Sequence, residues 1–222
     1  MISTLPQICH LTRTYTTYLR NQGIPTDKNG FPILPRKLFL TSRPEYIVPY
    51  SHRNMTANPQ TTLLCFYCPD NLIYPRMEHV FNEIKYYRQF MGVIGADITV
   101  TQDMDLTWQV EIMLLNQLFT AILGINGIPI VQNLRCGSSK TIRYIANSVP
   151  REIMSASSTL GCKPTPSMLD LSYPQKVLAL RPSEILLYGK EDSIMEKQLD
   201  TIGIKYQRYD DVHTATKKGS FH

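Results

Sequence analysis

The sequence has few cysteines and no long uninterrupted apolar run. Its five cysteines are odd in number and sparse for 222 residues, which argues against a disulfide-stabilised secreted fold and favours a reducing compartment. The chain does not open with a basic segment followed by an apolar stretch, and polar side chains interrupt its most apolar stretch, 106–123. We therefore expect a cytoplasmic protein without membrane contact.

Familiar catalytic signatures are also missing from the sequence. None of the five histidines shows the spacing of a nucleophile triad, and no G-x-S-x-G motif occurs. Cys65 and Cys68 form a single C-x-x-C pair, which supplies too few ligands for tetrahedral zinc. Phe66 and Tyr67 between them fit a strand better than the helix start of a redox dithiol. These features exclude the most recognisable enzyme classes.

The composition is that of a globular protein with a mild basic excess. Apolar residues make up 43% of the chain, and the net charge is +5. This is enough apolar surface for one full core, and the charge suits an anionic partner without requiring nucleic acid.

The pattern along the chain predicts three regions. Prolines recur through 1–60, which we interpret as an irregular extension packed on the core, with a short helix at 8–20, a strand at 37–41 and an exposed loop at 46–58. Residues 61–213 are predicted to form the main domain. The polar end, 214–222, is expected to be a flexible tail.

Short apolar runs alternate with helical patterns from residue 61 onward. The predicted strands are 62–66, 92–98, 128–132, 152–157, 184–188 and 205–209. The predicted helices are 76–90, 106–123, 139–147, 174–180 and 192–201. Such alternation predicts an α/β fold with a mainly parallel sheet built from repeated βα units, either open and doubly wound or an incomplete barrel.

The stretch 92–137 is the clearest βαβ unit. Its helix has apolar positions at helical spacing that should face the sheet: Leu106, Val110, Met113, Leu114, Gln117, Leu118, Ala121 and Ile122. Polar residues that follow neighbouring parallel strands gather at one edge of the sheet, where such folds bind ligands. The unit therefore predicts the position of a site.

Two turns at this edge are candidates for binding an anion. The first contains Asn133, Arg135, Gly137, Ser138, Ser139 and Lys140, and it offers backbone amides at a predicted helix start, although Ser138 or Ser139 as a simple helix cap is the alternative. The second contains Ser157, Ser158, Thr159 and Gly161, and an ordinary turn of small residues is its alternative. Tyr188 and Gly189 are expected on the far side of the ligand.

Asp97 lies at the end of the predicted strand 92–98, close enough to contribute to the same site. Its carboxylate could contact Mg²⁺ or act as a general base. An ion pair with Arg135 would explain Asp97 without catalysis. The neighbouring Asp103 and Asp105 are more simply explained as caps of the helix at 106–123.

The order and spacing of several short fragments resemble a known family. The fragments are Gly95-Ala96-Asp97-Ile98-Thr99, Asp103-Met104, Gln109, Gly127-Ile128-Pro129-Ile130-Val131, Leu134-Arg135-Cys136-Gly137, Ser158-Thr159-Leu160-Gly161-Cys162-Lys163 and Leu180-Arg181-Pro182-Ser183-Glu184-Ile185-Leu186-Leu187-Tyr188-Gly189. Over about 90–190 the sequence resembles an uncharacterised family of phage and mobile-element proteins, domain of unknown function 4417. The resemblance implies a phage or prophage origin and a compact α/β fold. It implies no activity.

These patterns lead to three functional hypotheses. The first is a phage accessory protein that binds a phosphorylated or nucleotide-like small molecule, by sequestration or by Mg²⁺-assisted turnover. The second is an interaction module that blocks a host defence or replication protein through residues 1–60. The third is nucleic-acid binding, for which Tyr86, Tyr87, Arg88 and Phe90 could supply stacking, although aromatics at helical spacing usually pack inward.

Overall fold

The computed structural model describes residues 4–217 of the chain. The helices are α1 (Leu5–Asn21), α2 (Asp70–Glu78), α3 (Val80–Tyr87), α4 (Leu106–Ile125), α5 (Ile142–Ser148), α6 (Ser172–Leu180), α7 (Ser193–Thr201) and α8 (Val212–Lys217). The strands are β1 (Tyr46–Pro49), β2 (Thr62–Cys65), β3 (Gly92–Ile94), β4 (Ile130–Asn133), β5 (Met154–Ser158), β6 (Glu184–Tyr188) and β7 (Tyr206–Tyr209). Short 3-10 turns link several of these elements.

All strand pairs within the described residues are parallel, and the strand order is simply β1 to β7. The sheet curls into a nearly closed barrel with one unsealed seam. This confirms the α/β prediction and decides between its two forms, because a doubly wound sheet would reverse its strand order.

The barrel interior is filled by side chains from alternate strand positions. It contains a separate apolar cluster that includes Ile47, Leu63, Cys65, Ile94, Val131, Ala156 and Leu186. At the carboxyl ends of the strands, the rings of Tyr67 and Tyr188 stack with centroids 5.7 Å apart. The interior is therefore a packed core and leaves no room for a ligand.

Side chains bridge the seam between β1 and β7. The Tyr209 hydroxyl donates to the Pro44 carbonyl oxygen at 2.9 Å, and the rings of His52 and His213 lie 5.5 Å apart. These contacts cover the edge strands where the backbone ladder is missing, which protects them from pairing with other chains.

The N-terminal region is more regular than its prolines suggest. The helix predicted at 8–20 is present as α1, but 46–58 is not an exposed loop, because it contains β1 and a 3-10 turn. The apolar run Ile47-Val48 is buried in the sheet. The predicted strand at 37–41 is instead a 3-10 turn followed by a single bridge from Phe39 to Ile130.

Two other helix predictions also need correction. The predicted helix 76–90 is two helices, α2 and α3, because His79 between them has a non-helical backbone. The predicted tail is helical in its first part, since Asp211 accepts hydrogen bonds from the backbone of His213 and Thr214 at the start of α8. Residues 218–222 lie outside the described residues.

Helix α4 is the central core helix. By length and composition it is the one helix in residues 4–217 that could cross a membrane, yet 72% of that stretch is buried within the fold. Helix α1 also packs against it, and burial extends beyond the predicted stripe to residues such as Leu115 and Phe119. Leu106 is 41% exposed, and Val110 and Leu114 are only half-buried.

We predict that Leu118→Ala lowers the free energy of unfolding by about 2 to 5 kcal/mol, because it leaves a cavity in a closely packed core. Leu118 is fully buried on α4. Leu106→Ala is the matched control and should change stability by less than about 0.5 kcal/mol. Urea denaturation of both variants measures the difference, and equal losses would contradict the packing described for α4.

We predict that Arg181→Gly raises the free energy of unfolding by about 1 kcal/mol. Arg181 ends α6 with a φ of 49°, a left-handed conformation that costs a side chain energy but suits glycine. The Arg181 side chain is exposed, so few contacts are lost. Arg181→Ala, which keeps the strain, should give no gain in the same denaturation experiment.

Candidate functional site

A pocket of about 340 Å³ opens at the carboxyl ends of β3 to β6. Many of the predicted site residues meet there: Asp97, Asn133, Arg135, Ser157, Ser158 and Thr159. The loops after β5 and β6 and one side of α6 complete the wall. The strand ends therefore converge as parallel βα units require.

Asn133 organises the floor of the pocket. Its Nδ2 donates to Asp97 Oδ1 at 2.8 Å and to the Ala96 carbonyl oxygen at 3.0 Å. Its Oδ1 accepts from the Arg135 backbone amide at 3.2 Å and from the Tyr67 hydroxyl at 3.5 Å. One buried amide thus connects the segments that follow β2, β3 and β4.

Asp97 and Arg135 face each other across the pocket floor. Asp97 Oδ1 lies 3.8 Å from Arg135 Nε, and the two side chains are 15% and 27% exposed. Arg135 Nε is buried and has no hydrogen-bond partner among the described residues. The predicted ion pair exists, but it leaves the guanidinium incompletely satisfied.

Burial raises the pKa of Asp97 to about 6, while Arg135 and the hydrogen bond from Asn133 act in the opposite direction. A carboxyl group in this range changes protonation close to neutral pH. Such groups cluster at functional sites, although structural ion pairs can produce the same shift.

Three lysines that the sequence does not single out also line the pocket: Lys163, Lys176 and Lys190. Lys190 lies two residues after β6, so its position after a strand end could have predicted that it lines the pocket. Lys176 lies on α6, and only the orientation of that helix brings it to the pocket. The Lys176 ammonium lies 5.0 Å from the centre of the Tyr173 ring.

The acidic side chains on the lysine side of the pocket are already engaged. Asp192 accepts from the Thr165 backbone amide and hydroxyl, both at 2.8 Å, and from the Met195 amide at 3.0 Å. Glu191 pairs with Arg208 at 2.6 Å. Both carboxylates therefore hold the surrounding loops in place. Glu191 is paired with a cation outside the pocket, whereas Asp192 is bonded only to neutral donors and keeps its negative charge.

The turn after Arg135 differs from its prediction. The Ser138 amide donates to Gln109 Oε1 at 2.7 Å, so it is not free for an anion. Gly137 is required here, because a Cβ at this position would collide with the Gln109 side chain. A 3-10 turn at Ser139–Thr141 precedes α5, in place of the predicted α-helix start at 139.

Residues 137–139 line a second pocket of about 370 Å³. It shares Cys136, Tyr173 and Lys176 with the first pocket. Lys140 is exposed and lines neither of the two. The first predicted turn is therefore divided between two adjoining pockets: Asn133 and Arg135 line the main pocket with the second turn, and 137–139 line the other.

The remaining predicted site residues lie away from the main pocket. Tyr188 is buried in the barrel interior, and its hydroxyl accepts from the Val212 amide at 3.1 Å. Gly189 has a φ of 118° and lines a different pocket, near Arg208. Gly161 is exposed in the loop after β5 and does not line the main pocket.

The other acidic residues and the cysteine pair have structural roles. Asp105 caps α4 by accepting from the Thr107 amide at 2.8 Å, and Asp103 is exposed. Burial raises the pKa of Cys65 and brings that of Cys68 to about 12, which disfavours thiolate chemistry. Among residues 4–217 no three His, Cys, Asp or Glu side chains lie together as metal ligands would.

The aromatic and basic cluster on α3 is mostly packed. Tyr87 and Phe90 are buried in the core. The Arg88 guanidinium donates to the Asn126 carbonyl oxygen at 2.8 and 3.1 Å. These contacts account for the cluster without stacked bases.

Comparison with known proteins places this barrel in a family. A family model described as a domain of unknown function (DUF4417) matches residues 27–208. The chain belongs to this family. No curated protein and no solved structure matches the chain.

The family match begins after α1 and ends within β7. The DUF4417 domain therefore includes the strands that form the barrel and every residue that lines the main pocket. Helix α1, which packs on α4, lies outside the matched region. The pocket is thus part of the domain that defines the family.

We predict that Asp97→Asn changes how stability depends on pH. In the wild type the folded-state pKa of Asp97 is about 6 against an ordinary value of 3.8, so this group favours folding below about pH 4 and loses that contribution as pH rises through 6. The variant cannot ionise there. Its free energy of unfolding, relative to the wild type, should rise by about 2 to 3 kcal/mol between pH 4 and pH 7.

Urea denaturation at several pH values tests this expectation. Asp103→Asn is the control, since its exposed carboxyl group has a pKa lowered by the Thr101 hydrogen bond and titrates below the tested range. Parallel curves for the wild type and Asp97→Asn would contradict the raised pKa of Asp97.

Proposed function

We propose that this protein binds a small phosphorylated or nucleotide-like anion in the pocket at the carboxyl ends of β3 to β6. The observation that carries the proposal is the position of Arg135. Its guanidinium lines the pocket with a buried Nε that has no hydrogen-bond partner among the described residues. A ligand oxyanion in the pocket would accept charge-assisted hydrogen bonds from the part of the guanidinium that lines it.

The charge of the pocket supports this ligand class. Lys163, Lys176 and Lys190 add three positive charges to that of Arg135, and none of the three forms an ion pair within residues 4–217. Glu191 is paired with Arg208, so the carboxylates left to offset these cations are those of Asp97 and Asp192. The cations outnumber them, and the net field therefore favours anions.

The hydroxyl groups and the size of the pocket also suit a small phosphorylated ligand. Ser157, Ser158 and Thr159 supply hydrogen-bond donors and acceptors beside the cations. A volume of about 340 Å³ accepts a compact small molecule, and the adjoining pocket offers room for a second part such as a base or sugar. On this proposal the protein acts as a phage accessory in the host cytoplasm, by sequestration or by turnover.

The interaction-module alternative has less support. It predicts an exposed apolar patch on residues 1–60 and no enclosed pocket. In the described part of that region three large apolar side chains are exposed, Ile33, Met55 and Tyr46, at 43%, 41% and 37%. More are exposed at 160–178, including Leu169 at 89%, and the pocket is present.

We predict that Arg135→Ala weakens ligand binding by at least about tenfold, equivalent to 1.4 kcal/mol. Arg135→Lys should restore only part of the affinity, because an ammonium group cannot reproduce the planar guanidinium fork. A thermal-shift screen of nucleotides, cyclic nucleotides and sugar phosphates finds the ligand. Titration calorimetry on each folded variant then gives the affinity.

Arg143→Ala is the matched control, since it removes one positive charge from an exposed position outside both pockets. It should change affinity by less than about twofold in buffered salt. If Arg135→Ala only lowers the melting temperature and leaves affinity intact, Arg135 serves the Asp97 ion pair alone and does not bind ligand.

A further inference from the structure

The contact between Asp97 and Arg135 is loose enough for Arg135 to exchange Asp97 for another anionic partner. The distance from Asp97 Oδ1 to Arg135 Nε is 3.8 Å, too long for a hydrogen bond. The same Oδ1 is held at 2.8 Å by Asn133. Asp97 is thus fixed by the amide, while the guanidinium keeps donors available for another anion.

The groups that face Asp97 come from several elements. Arg135 and Lys176 are the cations that lower its pKa, and Asp70 at the start of α2 raises it. Asp70 is itself held by the Thr99 amide and hydroxyl, both at 3.1 Å. The neighbouring titratable groups at the end of β2 are Tyr67, Cys65 and Cys68. Burial raises the pKa of each, and the Asp97 carboxylate raises it further.

We propose that an oxyanion bound at Arg135 is accompanied by one proton, which Asp97 takes up from solvent so that the anion replaces its carboxylate as the partner of Arg135. This inference rests on the proposed function and specifies how the same pocket is regulated. It identifies the ligand as the anion of a strong acid, such as a phosphodiester, which keeps its charge in the pH range where Asp97 loses its own.

The physical reason is repulsion between two anions in a poorly solvated space. A ligand oxyanion at Arg135 would lie close to the Asp97 carboxylate, and like charges at such distances raise the pKa of the weaker acid. Asp97 is the group that takes up the proton, because burial has already raised its pKa to about 6. Protonation removes the repulsion and leaves a hydroxyl that can donate to the ligand.

The consequence is affinity that depends on pH with a defined sign. Below pH 6 Asp97 is mostly protonated and the site is ready for the anion, whereas above it each binding event must add a proton. Affinity should therefore fall by about tenfold or more between pH 5 and pH 7.5. The ligand would be held more tightly on acidification.

Sulfate is a suitable probe, because its charge does not change between pH 5 and pH 7.5. Calorimetric titration of the full chain with sulfate, in buffers of different ionisation enthalpy, gives both affinity and the number of protons taken up. For the wild type we expect close to one proton at pH 7.5 and close to none at pH 5. Asp97→Asn should take up none at either pH.

The variant also gives a result that a purely structural role would not. At pH 7.5 Asp97→Asn should bind sulfate about tenfold more tightly than the wild type, since the competing carboxylate is gone. Asp103→Asn, which also removes one negative charge but from an exposed position, should behave as the wild type does. Circular dichroism confirms that each variant is folded before titration.

The outcomes separate this inference from the proposed function. Sulfate binding that depends on Arg135 but takes up no proton at pH 7.5, or still takes up a proton in Asp97→Asn, overturns the coupling and leaves the anion site standing. Sulfate that fails to bind at every pH, or binds Arg135→Ala as it binds the wild type, overturns the anion site itself.

Discussion

The geometry of the pocket depends on one buried carboxamide. Asn133 ends β4, and its side chain contacts Asp97, the Ala96 carbonyl oxygen and the Arg135 amide at 2.8 to 3.2 Å. An apolar residue at this position could not join these strand ends, because it would remove a hydrogen-bond partner from each of these groups. The constraint is local, but it sets the spacing between the carboxyl group of Asp97 and the guanidinium of Arg135.

The barrel explains why the polar pocket lies at the rim. Alternate strand residues fill the interior, and Tyr67 stacked on Tyr188 closes it at the carboxyl ends of the strands. Tyr67 then reaches toward Asn133 with its hydroxyl. Tyr67 therefore contacts both the apolar core and the polar floor of the pocket. A shift of the Tyr67 ring would also move its hydroxyl relative to Asn133.

Much of the fold could be predicted from the sequence, since alternating apolar runs and helical patterns are what parallel βα units require. Strand β1 was missed because Tyr46–Pro49 is short and lies among prolines, and it becomes a strand only by pairing with β2. The sequence could not decide between an open sheet and a barrel, because strand order depends on tertiary packing and does not affect the spacing of the elements along the chain.

The site was predictable where residues directly follow strands, and less so elsewhere. Asp97, Arg135 and Ser157 follow or end strands, so the topology alone brings them together. Lys176 depends on how α6 rotates, and Tyr188 was misplaced because alternation along β6 points it into the barrel.

The turn at 137–139 shows why a motif needs its surroundings. Its glycine and serines have the composition of an anion-binding helix start. Gln109 on α4 nevertheless reaches the Ser138 amide, and it can do so only because Gly137 leaves room for its side chain. The same Gln109 donates to the Met104 carbonyl oxygen at 2.7 Å, which ties this turn to the loop before α4. The space beside this glycine is filled by the Gln109 side chain and is not left for a ligand. That is why the proposed function places the anion at Arg135, whose guanidinium retains an unpartnered buried donor among the described residues.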